Sequence, residues 1–212
     1  MEIIPNFAVL EGGDGSGTTT QMSFLEKRLK DCSIPFFSTF EPTDSNIGRI
    51  IRSALKKEVI LHPETICMLF ASDRNEHIYG PDGIIDHAGK GELVVSDRYA
   101  VSSFVYQGID CGNNLPKLLN SRFPAPEVTI FLDIKPGIAV ERMKSRPTLD
   151  IYEYLDFQEK VYAQYLFELD MYSKAGAKVE VIDASKSTQE VSDQIWNIIR
   201  QMPIFKAGEK SI

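Results

Sequence analysis

The feature that most limits what this chain can fold into is a glycine-rich segment at residues 7–21, FAVLEGGDGSGTTTQ. Its apolar beginning, residues 7–10, predicts a buried strand, and the apolar residues that follow the glycines recur at helical spacing. Glycine permits sharp turns in which backbone N–H groups and a helix N-terminus surround an anion. The segment therefore predicts a strand, a phosphate-binding loop and a helix.

This loop departs from the usual phosphate-loop pattern at one position. Gly12, Gly17 and Thr19 fit the pattern G-x-x-x-x-G-K-[ST], but Thr18 occupies the lysine position. The alternative interpretation is an ordinary glycine-rich turn followed by a threonine-rich helix start. Because phosphoryl transfer depends on positioning and charge stabilisation, we expect nucleotide binding to survive the loss of lysine better than catalysis.

Strand and helix patterns alternate along the chain. Five apolar runs predict strands at residues 7–11, 36–41, 92–96, 128–133 and 178–183. Strands that are apolar throughout are typical of a parallel sheet that is covered on both sides. We therefore predict an α/β fold with a five-stranded parallel sheet and helices on both faces. A length of 212 residues suits a single domain, residues 1–212.

Charge and cysteine content restrict the cellular setting. The net charge of -7 argues against a large nucleic-acid-binding surface. Cys32, Cys67 and Cys111 show neither metal-ligand spacing nor a disulfide framework, which favours reduced thiols. The chain has no apolar run of 18 residues, and its first residues lack a basic signal-peptide segment. We expect a cytoplasmic protein that binds neither membranes nor nucleic acid.

Polar motifs directly follow three of the predicted strands. The glycine loop follows the first strand, Glu41 ends the second, and Asp97 with Arg98 follows the third. Ligands of parallel α/β sheets bind beyond the carboxyl ends of the strands. We therefore expect these three motifs to line one crevice.

Six motifs occur in a fixed order: LEGGDGSG at 10–17, FEP at 40–42, LFASDR at 69–74, SDRYAVSSFVYQG at 96–108, FLDI at 131–134 and VIDAS at 181–185. At these separations the chain resembles the thymidylate kinases, a family of P-loop nucleoside monophosphate kinases. The resemblance implies transfer of the ATP γ-phosphoryl group to dTMP, Mg²⁺ as cofactor, and a homodimer. Two alternatives stay open: a dTMP- and ATP-binding protein with weak or lost kinase activity, because Thr18 replaces the loop lysine and Phe40 removes a possible phosphate contact, or a kinase for another nucleoside monophosphate.

The resemblance also implies an acceptor site. Phe70 is implied to stack on thymine, with Arg74 one helical turn later bonding the nucleotide; alternatively, Phe70 is core and Arg74 is a solvated charge. Tyr106 is implied to select deoxyribose by crowding the 2′ position. Tyr165, on a long helix, is expected to be core. The implied substrate-binding residues are Asp14, Glu41, Phe70, Arg74, Arg98, Ser103, Tyr106 and Gln107.

The remaining implied residues serve ATP, the metal and catalysis. Thr19 and Asp97 are implied to hold Mg²⁺, partly through water. Arg98 is implied to lie between the two phosphates, although a surface pair with Asp97 is the alternative. Because Gly15 is not basic, a short lid near residues 142–150 is implied to supply catalytic Arg142 and Arg146; alternatively, Arg142 is the solvated end of a helix. The implied ATP-binding residues are Gly12, Gly13, Asp14, Gly15, Ser16, Gly17, Thr18, Thr19, Thr20 and Ala184, the last in a segment that equally fits a helix cap.

Overall fold

The computed structural model describes residues 1–143 and 155–208, with the backbone alone for 206–208. The strands are β1 (Ile3–Glu11), β2 (Phe36–Phe40), β3 (Leu93–Asp97), β4 (Ala125–Asp133) and β5 (Val179–Asp183). The helices are α1 (Thr18–Asp31), α2 (Asn46–Leu55), α3 (Pro63–Tyr79), α4 (Ile84–Gly89), α5 (Ala100–Cys111), α6 (Asn114–Asn120), α7 (Pro136–Met143), α8 (Leu155–Lys174), α9 (Thr188–Ile199) and α10 (Pro203–Gly208).

The five strands form one parallel sheet in the order β2-β3-β1-β4-β5. The register sets Leu10 of β1 beside Asp97 of β3, and Glu11 beside Phe131 of β4. The carboxyl ends of the strands therefore meet at one edge, with β1 in the centre. This arrangement confirms the predicted α/β class.

Helices cover both faces of this sheet. Successive residues of a strand point to opposite sides, so the residues of β1 pack alternately against the helices of each layer. Ala8 and Leu10 belong to an apolar cluster with residues of α1 and α9. Phe7 and Val9 belong to a second cluster with residues of α4 and α5. Burial on both faces explains why the strands are apolar throughout.

Three elements differ clearly from the sequence prediction, and one of them is β4, which begins at Ala125 rather than at residue 128. The first strand begins at Ile3 rather than at residue 7, because its start pairs with the start of β4 across an irregularity after Ile4. At this irregularity Asn6 has a positive φ of 59°, and its N–H donates to Glu127 Oε2 at 2.8 Å instead of to the sheet. The short helix α10 was not predicted.

The predicted lid falls largely outside the described residues. Arg142 lies in the last turn of α7, whereas Arg146 and the rest of the lid to residue 150 are outside the described ranges. The organisation of residues 1–212 as a single domain stays a prediction. Within residues 1–143 and 155–208, no helix has both the length and the apolar character needed to cross a membrane.

Candidate active site

The loop between β1 and α1 is built around its glycines. A Cβ at Gly12 would lie 2.4 Å from Ser16 Oγ, so any side chain there would collide with the loop itself. Gly17 has φ of 96° and directly precedes α1. Gly15 has φ of 80°, and a Cβ there would lie 2.6 Å from the carbonyl oxygen of Ala139 in α7. Because the loop ends at Gly17, directly before α1, it lies at a helix N-terminus, which is a favourable place for phosphate.

A hydroxyl and a carboxylate meet where α1 begins. Thr19 Oγ1 donates to Asp97 Oδ2 at 2.8 Å. The other oxygen of Asp97, Oδ1, is buried and has no hydrogen-bond donor among the described residues. Within those residues, no group of three or more His, Cys, Asp or Glu side chains is arranged to hold a metal ion. This donor set fits Mg²⁺ that takes its other ligands from phosphate and water.

Arg98 is bonded to the phosphate loop. It directly follows β3, and its Nη2 donates to Asp14 Oδ1 at 2.6 Å. Its Nη1 lies 3.4 Å from both Ser102 Oγ and the Tyr165 hydroxyl, and its Cζ lies 5.2 Å from the centre of the Tyr106 ring. Burial alone would lower the pKa of Arg98, but Tyr106 and Asp14 raise that pKa well above its usual value. Arg98 is therefore a permanent cation.

A second arginine, Arg74 of α3, is buried, with only 1% of its surface exposed. Its Nε and Nη2 donate to Glu41 Oε2 at 3.0 and 2.5 Å, and Nη2 also donates to Ser103 Oγ at 3.1 Å. Its Nη1 donates to Asn120 Oδ1, while Glu41 Oε1 lies 3.0 Å from His77 Nδ1. Burial lowers the pKa of Arg74, but Glu41, Tyr99 and Glu11 together raise that pKa above its usual value. The alternative that Arg74 is a solvated charge is therefore wrong.

The other implied acceptor residues lie on α3 and α5. Phe70 is partly exposed, one turn before Arg74. Tyr106 and Gln107 are buried, and burial raises the pKa of the Tyr106 hydroxyl, which therefore stays neutral. Gln107 Oε1 has no hydrogen-bond donor within the described part of the chain. A buried amide oxygen of this kind suits a ligand that brings its own N–H group.

Among the described residues, two of the larger cavities lie beside the loop and the start of α1. The first has a volume of about 420 Å³, and its lining includes Thr19, Phe40, Glu41, Asp97 and Arg98. The second has a volume of about 260 Å³, and its lining includes Gly17, Thr20, Arg142, Ala184 and Lys186. The fold thus brings Arg142, which was implied to be catalytic, and Ala184, which was implied to bind ATP, to the same cavity beside the loop. It adds Lys186, which sequence reasoning did not single out.

Sequence reasoning also missed Glu11, the last residue of β1, which is fully buried. Its Oε1 accepts hydrogen bonds from the N–H groups of Tyr99 and Ser102, at 2.9 and 3.2 Å. Its Oε2 accepts from the hydroxyls of Ser102 and Tyr165, at 2.7 and 3.0 Å. Burial raises the pKa of Glu11, although Ser102 and Arg98 oppose that rise. One signal was available: a carboxylate inside an apolar strand, directly before the glycine loop.

Helix α8 contributes two further side chains to the site. Gln158 Nε2 donates to Asp14 Oδ2 at 3.1 Å. Tyr165 is buried as predicted, but its hydroxyl reaches Glu11 and Arg98. Nothing in the local sequence pattern of α8 distinguishes these two residues from ordinary core residues, because their partners come from distant segments.

A glycine loop before α1, the Thr19–Asp97 pair where α1 begins, and an arginine bonded to Asp14 of that loop are features of a P-loop nucleotide kinase. The profile of the thymidylate kinase family matches residues 10–195. A relative from Treponema pallidum (strain Nichols) that carries the thymidylate kinase name is 39% identical over 204 residues, covering 95% of this chain and 98% of the relative. A similarly named relative from Pyrobaculum aerophilum is 37% identical over 201 residues, covering 94% and 99%. The thymidylate kinase of Synechococcus sp. (strain JA-2-3B'a(2-13)) is 30% identical over 210 residues, covering 96% and 99%. The chain belongs to the thymidylate kinase family.

Proposed function

We propose that the protein transfers the γ-phosphoryl group of ATP to dTMP, giving ADP and dTDP. The observation that carries the proposal is the position of Arg98. This permanent cation is bonded to Asp14 of the phosphate loop, and it lines the same cavity as Thr19 and Asp97. A donor phosphate on the loop and an acceptor phosphate near Arg74 would meet beside it. Family membership and the names of the relatives support dTMP as the acceptor.

On the donor side, we assign the phosphates of ATP to the backbone of residues 12–20. The cavity that contains Thr20, Ala184 and Arg142 is the proposed place for the rest of the nucleotide. Thr19 and Asp97 would hold Mg²⁺, which when bound neutralises charge on the donor phosphates. Asp97 Oδ1, which has no partner among the described residues, is the atom that a water ligand of the metal would bond.

On the acceptor side, we assign dTMP to the region beside Arg74, between α3 and α5. The contacts of Arg74 with Glu41 and Ser103 hold its guanidinium in one orientation before the nucleotide binds. Stacking of thymine on Phe70 would contribute about 1–3 kcal/mol. Gln107 Oε1 offers an acceptor for a base N–H. Tyr106 is the proposed barrier to a ribose 2′ hydroxyl.

The chemistry then needs orientation and charge rather than a general base, because the attacking phosphate oxygen of dTMP is already anionic. Arg98 would stabilise the charge that spreads over the transferred group. Its two contacts at 3.4 Å are long for hydrogen bonds, so phosphate oxygens can replace them at little cost. Its bond to Asp14, at 2.6 Å, keeps the guanidinium beside the loop.

Thr18 makes the source of positive charge the central question of this site. A buried threonine cannot supply the charge of the usual lysine, whose loss typically costs on the order of 10²–10³ in rate. The cavities beside the loop contain Arg98, Arg142 and Lys186 among their described lining residues. We propose that Arg142, together with Arg146 beyond the described residues, takes over from the lysine. The relatives do not favour the alternatives of a weakly active binding protein or a kinase for another monophosphate.

The test is dTDP formation from ATP, Mg²⁺ and dTMP, with wild type beside Thr18→Lys. We expect robust wild-type turnover, little gain from Thr18→Lys, and a loss of about 10²–10³ in kcat for Arg142→Ala if that arginine replaces the lysine. The absence of dTDP above background would refute the proposed reaction. Feeble turnover that Thr18→Lys restores would instead support the nucleotide-binding alternative. Competition among dTMP, dUMP, dGMP and dCMP would identify the preferred acceptor.

We further propose a cytoplasmic homodimer. Large apolar side chains are exposed on several helices, and five of them on α3, α6 and α8 suit a contact between copies of the chain. They are Met68 of α3, Leu118 of α6, and Leu166, Phe167 and Met171 of α8. The free thiols of Cys32, Cys67 and Cys111 fit a reducing compartment. Light scattering after gel filtration tests the dimer: a single species at the monomer mass of 23.8 kDa would refute it.

A further inference from the structure

Helix α5 begins two residues after Arg98, and its own segment provides no side-chain cap. Tyr99 occupies the N-cap position and makes no side-chain hydrogen bond to the helix. The first N–H groups of any helix need acceptors from outside it. Here Glu11 Oε1 supplies one, accepting from Tyr99 N–H at 2.9 Å and Ser102 N–H at 3.2 Å. The cap of α5 is therefore a carboxylate from β1, 88 residues away from Tyr99 in sequence.

The second oxygen of this carboxylate controls two hydroxyl groups. Ser102 Oγ and the Tyr165 hydroxyl lie 2.9 Å apart, and both are within 3.0 Å of Glu11 Oε2. Each of them also lies 3.4 Å from Arg98 Nη1, which can only donate. When ionised Glu11 accepts both hydroxyl protons, the lone pairs of both oxygens are available to Arg98. The charge on Glu11 thus sets the direction of the hydrogen bonds that face the guanidinium.

The backbone of Arg98 is also in an unusual state that its neighbours must hold. Its φ of 73° lies in the left-handed region, which a non-glycine residue rarely adopts. Arg98 N–H donates to the Leu10 carbonyl at 2.9 Å, and Ser96 Oγ donates to the Arg98 carbonyl at 2.8 Å. The next N–H, that of Tyr99, is the one bonded to Glu11. Glu11 therefore fixes the backbone on the C-terminal side of Arg98 as well as the surroundings of its side chain.

We infer that Glu11 is a positioning residue, which holds Arg98 in its catalytic orientation through Tyr99, Ser102 and Tyr165. The inference rests on the proposed role of Arg98 in phosphoryl transfer. A displacement of about 1 Å in a catalytic group can reduce a rate on the order of 100-fold. Glu11 does not bond either substrate in this account, and its effect reaches the reaction only through Arg98.

The first variant is Glu11→Gln, which keeps the size of the side chain. Its oxygen can still accept from the two backbone N–H groups, but its NH₂ would donate to Ser102 and Tyr165 and turn their protons towards Arg98. We expect kcat to fall about 10- to 100-fold, with KM for ATP unchanged within about twofold. The matched control is Glu168→Gln. Glu168 is another buried carboxylate, 2% exposed, that contacts Lys117 and Gln164 away from this network.

A cycle with Arg98→Ala separates positioning from general destabilisation. If Glu11 acts through Arg98, Glu11→Gln should reduce kcat strongly in the wild type but hardly at all in Arg98→Ala. Equal losses in both backgrounds would overturn the inference, as would a kcat for Glu11→Gln equal to that of Glu168→Gln. If Arg98→Ala has a low kcat but Glu11→Gln has the wild-type kcat, the inference about Glu11 is refuted and the proposed function of Arg98 stands. If Arg98→Ala itself has the wild-type kcat, both the proposed function of Arg98 and the inference about Glu11 are refuted.

A second variant covers the case in which Glu11→Gln does not fold. Tyr165→Phe removes one hydroxyl between Glu11 and Arg98 and leaves the cap of α5 in place. We expect its kcat to fall at least about threefold, with the same non-additivity towards Arg98→Ala. A wild-type kcat for Tyr165→Phe would then overturn the inference.

Discussion

Replacing Glu41 by glutamine should destabilise the protein strongly. The side chains of Arg74 and Glu41 are only 1% and 4% exposed, and their charged groups approach to 2.5 Å. Removing one charge from a buried pair leaves the other unpaired, which costs about 3–5 kcal/mol in the free energy of unfolding. At about 2–4 °C per kcal/mol for a chain of this length, the Tm should fall by roughly 6–20 °C.

The chain contains a matched pair that differs in exposure. Arg28 and Asp193 also approach to 2.5 Å, but their side chains are 29% and 50% exposed. Exposed pairs contribute little to stability, so Asp193→Asn should lower the Tm far less than Glu41→Gln. Because the two pairs approach equally closely, the difference between the variants reports the burial of the Glu41 pair together with the further contacts of Glu41 with Arg74 Nε and His77.

The assay is thermal unfolding followed by circular dichroism, together with the KM for dTMP. Glu41→Gln should raise the KM for dTMP because Arg74 loses the partner that orients its guanidinium, whereas Asp193→Asn should leave it unchanged. Equal shifts in Tm for the two variants would refute the argument from burial. A large shift in Tm with an unchanged KM would instead refute the role of Arg74 in holding dTMP.

Three further outcomes test the metal site, the sugar pocket and the thiols. Asp97→Asn and Thr19→Val should each raise the Mg²⁺ concentration for half-maximal dTDP formation by about 10- to 100-fold; an unchanged Mg²⁺ titration would contradict the assignment. Tyr106→Ala should reduce the kcat/KM preference for dTMP over its ribonucleotide by about tenfold, whereas Tyr106→Phe should keep it. Burial raises the pKa of the Cys67 thiol to about 12, so at pH 8 about one thiol in ten thousand is ionised. Exposed Cys32 should therefore react with a disulfide reagent in the folded protein, and Cys67 only after unfolding; equal rates would contradict this.

The sequence was sufficient for those parts of the fold that depend on local pattern. The apolar runs predicted the five strands, and the glycine spacing predicted the loop. The structure explains the glycine at position 12, because a side chain there would collide with Ser16. The start of β1 was missed because its pairing depends on the distant β4 and on the carboxylate of Glu127, which accepts the Asn6 N–H. Local periodicity contains no information about such a partner.

The site shows the same division. Arg98 and Asp14 could be proposed separately, but their bond joins residues 84 apart in sequence. Arg74 was open to interpretation as a solvated charge, because its main partner lies 33 residues earlier. Tyr165 fitted a core position, and it is buried; only its hydroxyl distinguishes it from phenylalanine at the same place. The residue types indicated which groups the site contains, whereas tertiary packing determined which atoms of those groups form hydrogen bonds with one another.

The packing of Gly15 against α7 also restricts how this enzyme could evolve. A side chain at position 15 would meet the carbonyl of Ala139, and the positive φ disfavours it as well. Ala139 lies one turn before Arg142, so the contact that keeps position 15 bare is made by the helix that brings this arginine to the loop. If the catalytic charge is on α7, as we propose, a lineage that moved it into the loop would have to shift α7 first. Single substitutions therefore cannot convert one arrangement into the other without passing through a form that lacks both.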